Sequence, residues 1–145
     1  MLSFDAHFCL AAEKLFVLPG DAAVKWLPAP KTLVPGIQIA RITGDPDVAG
    51  PFVLRLKFPA NSFVAPHHHA TAESVTVLSG ALFHATGDSF DKSRGEEVKA
   101  GGFFFLPEKM SHYLWTTTET IIQVEGVGPF GVEYASPADD PSKHE

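Results

Sequence analysis

From Gly36 onward the chain is a series of short runs of strand-like residues, each closed by a turn signal, and this punctuation restricts the fold more than any other feature. Ile37 to Ile42 alternates until Gly44-Asp45-Pro46-Asp47 ends it. Phe52 to Phe58 sets Phe52, Leu54, Leu56 and Phe58 on one face and Arg55 and Lys57 on the other, the period-2 pattern of a half-buried strand. Ala81 to Ala85 resumes after Ser79-Gly80, and His112 to Thr116 and Glu119 to Val127 follow. Val132 to Tyr134 comes after the turn Gly128-Pro129-Phe130-Gly131. Phe103 to Leu106 is wholly apolar between Gly101-Gly102 and Pro107, which predicts a strand buried on both sides. No helix-length amphipathic pattern, repeat or low-complexity segment interrupts the series. Short strands with turn signals between them specify an all-β sandwich or barrel.

A length of 145 residues suits one domain. Residues 1–35 read as an arm broken by Pro19-Gly20, Pro28, Pro30 and Pro35-Gly36, with either a helical turn at Ala11 to Leu15 or a docking strand at Phe16 to Leu18. Residues 36–135 form the barrel, in which polar Gly87 to Ala100 is an exposed connection with an edge strand. Residues 136–145 are a surface tail.

Charge narrows the partners. A net charge of -6 without a Lys/Arg cluster argues against nucleic acid and anionic membrane surfaces, and leaves a small ligand as the fitting partner. The single Cys9 forms no internal disulfide, and the N-terminus lacks a basic signal-peptide region, so the expected setting is the cytoplasm. No apolar run approaches the roughly 20 residues that span a bilayer.

The chemistry concentrates in Phe63 to Gly80, FVAPHHHATAESVTVLSG. On an extended strand His67 and His69 share a face and His68 takes the other. Glu73 has the same parity, as do Val75 and Val77, which marks the face as interior. Two imidazoles and a carboxylate in an apolar lining need partners, and a divalent metal satisfies all three. His7 and His84 have no comparable spacing and read as structural or exposed.

The spacing of His67, His69, Glu73 and Gly80 resembles the first motif of the cupin superfamily, whose members are jelly-roll β-barrels, the cupin-type double-stranded β-helix. The second motif is matched by Gly102, Pro107 and His112, while Lys109 stands where a glycine is usual and Phe103 where Asp is common. The resemblance therefore adds His112 as a third imidazole; Glu73 either binds the ion or hydrogen-bonds beside it. Within cupins, PANSFVAPHHHATAESVTVLSG and QVEGVGPFGVEY look like the acetylacetone dioxygenase group. That likeness implies iron(II), with zinc, manganese or nickel as alternatives, and cleavage of a carbon–carbon bond of a β-diketone by O2. It also implies a homodimer. The competing readings are a metal-dependent isomerase or hydrolase and a non-catalytic metal or ligand binder.

Candidate pocket residues are Phe63, Phe104, Tyr113, Trp115 and Phe130, as aromatic wall, and Gln123, an amide in an otherwise apolar strand.

Overall fold

The computed structural model describes residues 14–144, which form two antiparallel sheets facing each other across one apolar interior. The strands in chain order are β1 (Leu27–Pro28), β2 (Gln38–Thr43), β3 (Gly50–Phe58), β4 (Phe63–His68), β5 (Glu73–Ser79) and β6 (Ala81–Thr86). They continue with β7 (Glu96–Lys99), β8 (Phe103–Leu106), β9 (His112–Thr116), β10 (Thr120–Gly128) and β11 (Glu133–Tyr134). One sheet runs β1-β2-β3-β10-β5-β8 and the other β11-β4-β9-β6-β7. This is the jelly-roll barrel that the alternating runs and the cupin-like motifs lead one to expect. No helix among the described residues is long and apolar enough to cross a membrane.

The interior is built by parity. Phe52, Leu54 and Phe58 of β3, Val75 and Val77 of β5, and Ile122 and Val124 of β10 point inward from one sheet. Val64, Leu82 and Leu114 meet them from the other. β10 lies between β3 and β5 and pairs with both, so its alternation is covered on one face and partly open on the other.

Three local expectations change. Phe103 to Leu106 is an edge strand rather than a doubly buried one: Phe103 and Phe105 are 59% and 57% exposed, and only Leu106 is buried. β8 pairs on one side, with β5, so alternate side chains face outward despite being aromatic. Phe16 to Leu18 forms no strand; the arm docks instead through Leu27 and Pro28, which pair with Ile39 and Gln38. The alternative turn at Ala11 to Leu15 falls largely outside the described residues, as do His7 and Cys9. Thirdly, His69 and Glu73 do not share a strand. The chain turns at residues 69–72 and passes from the five-stranded sheet to the six-stranded one, so β5 delivers Glu73 from the opposite wall.

The second motif keeps its turn although a lysine replaces the glycine. Lys109 adopts φ 60°, the left-handed conformation that glycine takes without strain, and its amide donates to the His69 carbonyl at 2.9 Å. The backbone shape survives the substitution, and His112 starts β9 as the motif requires.

The polar connection after β6 is mostly exposed, but Phe90 folds back onto the outer face of the five-stranded sheet. Its ring centroid lies 5.1 Å from Tyr113 and 5.6 Å from Trp115. The Tyr113 hydroxyl donates to the Asp91 carbonyl at 2.8 Å and accepts from the Asp91 amide at 3.1 Å, which pins the loop there.

Candidate metal centre

His67 and His112 are paired across β4 and β9, and His69 follows β4 directly, so backbone pairing alone brings two imidazoles side by side. All three histidines are buried. Each is oriented by a carbonyl. His67 Nδ1 donates to Ala65 O at 2.7 Å, His112 Nδ1 to Met110 O at 3.2 Å, and His69 Nδ1 to Gly131 O. A carbonyl only accepts, so Nδ1 carries the proton in each ring, and the neutral tautomer leaves a lone pair on Nε2. The metal-ligating nitrogens of the three lie within 4.8 Å of one another.

His69 lies outside the strand yet is held on several sides. Phe130 stacks on its ring at 3.8 Å with 10° between planes, the Ala70 amide donates to Phe130 O, and the Lys109 amide donates to His69 O. The loop after β10 thus supports the imidazole that the strand itself does not.

Glu73, buried in the facing sheet, places Oε1 3.1 Å from His112 Nε2 and Oε2 3.7 Å from His69 Nε2. Burial pushes its carboxyl upward. The contact with His112, a hydrogen bond when that ring's Nε2 is also protonated, and the fields of His69, His112 and His84 outweigh that push and hold it below the ordinary carboxylate value. Burial drives His67 well below the ordinary imidazole value, helped by His112 and His69. It also lowers His69, against the opposing pull of Glu73. Convergent imidazole nitrogens with one carboxylate form a donor set that could hold a first-row divalent ion, and each of the three imidazoles has the carbonyl partner that metal-bound histidines characteristically have.

The site opens into a cavity of about 340 Å³ lined by Leu54, Leu56, Val75, Ile122, Val124 and Phe104, among others. Its outer rim comes from loops: Pro30, Thr32 and Leu33 of the arm, Asp47, and residues 130–132. Arg41 Nη2 holds Asp47 at 2.9 Å, and Tyr134 donates its hydroxyl to the Thr32 carbonyl at 2.5 Å.

Of the aromatic candidates, Phe104 and Phe130 line this cavity. The structure places the others elsewhere. Tyr113 and Trp115 have the opposite parity to His112 and Leu114 on β9 and pack with Ala85 and Phe83 on the outer face. Phe63 is 44% exposed and packs edge-on against Phe90. Gln123 alternates with inward Ile122 and Val124, so its amide faces outward, accepting from Arg55 Nε at 3.1 Å and donating to Glu125 at 2.8 Å. Burial of Tyr113 and Trp115 under Phe90 had no signal in the local pattern.

The residue that spacing overlooked is His84. It is neither exposed nor tied into the structure by hydrogen bonds: on β6 it shares the parity of fully buried Leu82 and points inward, its ring stacked on Phe104 at 4.2 Å and 5.4 Å from His112. Parity with Leu82 was the available signal. Burial, then the field of His112, lowers its pKa from 6.5 to about 4, with Glu73 opposing.

These depressed values make the metal-free protein acid-sensitive. The unfolded chain takes up the His84 proton near 6.5 and the folded chain only near 4, so stability is whole above 6.5 and falls as pH drops through that window. His84 alone accounts for about 3 kcal/mol across it, and His67 and His69 act in the same direction. Thermal melts of chelator-treated protein should show the midpoint dropping steadily between these pH values; a flat profile would contradict the buried neutral imidazoles.

A jelly-roll barrel whose two motifs converge on a buried three-histidine cluster defines a cupin with a candidate metal site. The chain belongs to the family described as the ChrR cupin-like domain, whose sequence pattern matches residues 20–130. No curated protein matches it. Among solved structures, the polyketide cyclase RemF of Streptomyces resistomycificus aligns with TM-score 0.72 at 19% identity, over 89% of this chain and 92% of that one. A proposed acetylacetone dioxygenase of Methylibium petroleiphilum aligns with TM-score 0.65 at 18% identity, over 89% and 88%. The complex of Rhodobacter sphaeroides SigE with the anti-sigma ChrR aligns with TM-score 0.54 at 18% identity, over 71% of this chain and 48% of that one. At these identities the likeness establishes the fold.

Proposed function

We propose that this chain is a mononuclear metal-dependent enzyme acting on a small enolisable carbonyl compound, and that with iron(II) it cleaves a carbon–carbon bond of a β-diketone using O2. The observation that carries the reading is the position of three carbonyl-pinned imidazoles, Nε2 inward, at one wall of an apolar cavity of about 340 Å³. His67, His69 and His112 would hold the ion, with Glu73 as the adjoining carboxylate.

A bound divalent ion supplies Lewis acidity toward the two oxygens of an enolate and, as iron(II), electrons for O2. The protein's part is to bind and shield. Three neutral imidazoles leave the dipositive charge intact and Glu73 reduces it to one, so either arrangement attracts a monoanion. Leu54, Val75, Ile122 and Val124 exclude water and match alkyl substituents. The volume lies at the small end for ligand sites, which favours compact substrates. In the overall reaction one carbon–carbon bond and the O–O bond break, and both oxygen atoms enter the two carbonyl products.

The test is oxygen uptake by protein stripped of metal, reloaded anaerobically with iron(II) and offered acetylacetone and related diketones. Uptake should require both iron and diketone and vanish in His112→Ala. Stoichiometric metal without uptake would overturn the dioxygenase reading in favour of an isomerase or hydrolase with a redox-inert ion, or of the non-catalytic binder that the family's ChrR description suggests. The proposal also takes the chain to be a cytoplasmic homodimer, and light scattering should return twice the chain mass.

A further inference from the structure

Among the described residues, one buried side-chain polar atom has no hydrogen-bond partner, and it is His84 Nε2. Leaving such a group unsatisfied is costly, so its retention beside the histidine cluster asks for a reason. β6 sets His84 opposite Leu114 and diagonal to His112 on the inward face of the five-stranded sheet. Its ring plane is fixed by stacking on Phe104. It stands apart from the nitrogens that cluster for an ion.

Glu73 faces the complementary problem. Its oxygens lie beside His112 Nε2 and His69 Nε2, nitrogens whose rings already donate through Nδ1. Those contacts are hydrogen bonds only while Nε2 carries an additional proton. An ion held by the Nε2 lone pairs excludes that proton, and Glu73 then has no imidazole donor among its present neighbours. One carboxylate oxygen can turn to the ion; the other is left buried and unpaired. Among the described residues the remaining inward-facing imidazole is His84, whose ring lies 5.4 Å from that of His112, the ring beside which Glu73 Oε1 sits at 3.1 Å.

We propose that His84 is a positioning residue: in the metal-loaded protein its Nε2–H donates to the free oxygen of Glu73 and holds that carboxylate on the ion. One hydrogen bond would satisfy two buried groups at once, one from each sheet. The inference rests on the reading that His67, His69 and His112 hold a divalent ion.

The experiment measures cobalt(II) affinity by chelator competition, and the cobalt absorption spectrum, for wild type, His84→Phe, His84→Gln, Glu73→Gln and the His84→Phe/Glu73→Gln pair. His84→Phe keeps the stack on Phe104 and removes the donor. It should weaken binding by about 10–100-fold, the usual effect of losing an outer partner of a ligand, while the metal-free variant melts no lower than wild type. His84→Gln, which retains an N–H donor, should recover part of the loss. In the Glu73→Gln background His84→Phe should change affinity less than about twofold, because the carboxylate it acts through is gone.

Affinity within about twofold of wild type in His84→Phe overturns the proposal. So does an undiminished effect in the Glu73→Gln background, or pulsed electron-spin resonance of copper(II)-loaded protein showing one imidazole ligand fewer in His84→Phe, which would make His84 itself a ligand. Wild-type protein that binds no cobalt would instead overturn the three-histidine reading, a result separable from the others.

Discussion

His67→Ala should abolish metal binding while His68→Ala, one residue away, leaves it intact. His67 is 4% exposed, is paired with His112 across two strands, and presents Nε2 to the cluster. His68 takes the opposite face of β4 and meets Glu133 at 3.5 Å on the rim. Losing an imidazole of the cluster should reduce affinity by more than the 10–100-fold typical of losing an outer partner. Elemental analysis after dialysis should give near-stoichiometric metal in wild type and His68→Ala and none in His67→Ala. Melting adds a second readout, since a ligand at 100 times its Kd stabilises by about 2.7 kcal/mol, an increment that His67→Ala should lack. Equal metal content in the two variants would mean that the His-His-His run binds as a loose surface tract.

Gly80→Ala should be strongly destabilising for a change of a single methyl group. Gly80 joins β5 to β6 at φ 74°, where the chain crosses between the sheets. A β-carbon there would lie 2.3 Å from the Glu119 carbonyl oxygen and 2.8 Å from Thr120 Oγ1. Thr120 is fully buried and its hydroxyl donates to Ala81 O at 2.8 Å, so it has little freedom to retreat. Left-handed backbone costs an L-residue about 1–2 kcal/mol, and moving the backbone carbonyl that leads into β10 raises the expected total to about 3–5 kcal/mol. For a chain of this size that is a midpoint about 10 °C lower or more. Gly101→Ala is the control: φ is 86° but no atom stands within 4 Å of the added carbon, so only the backbone strain remains. A Gly80→Ala midpoint equal to that of Gly101→Ala would remove the close approach from the account.

Strand positions were legible wherever one face is buried and the other wet, as in Phe52 to Phe58, because alternation records that difference directly. The turn at Lys109 was harder to judge, since residue type suggested a changed shape while the backbone adopts the glycine conformation regardless. Phe103 and Phe105 show the limit of composition: an apolar run says nothing about whether a neighbouring strand exists to cover it. Tyr113 and Trp115 required knowing that Phe90 returns across the outer face, a contact between distant stretches. His67, His69 and Glu73 were found by a parity argument that assumed one continuous strand. The grouping holds for a different reason, because Glu73 arrives from the other sheet.

That division between the sheets has a mechanical meaning. The three imidazoles belong to β4, its extension and β9: His67 and His112 face each other across paired strands, and His69 is held besides by the loop after β10. Glu73 reaches them from the facing sheet, joined to His69 by the turn at residues 70–72 and to the cluster by side-chain contacts across the interior. A shift of one sheet against the other would change the carboxylate's reach more than it changes the paired imidazoles of His67 and His112. The histidines are the frame of the site, and the glutamate is the member that registers how tightly the barrel is closed.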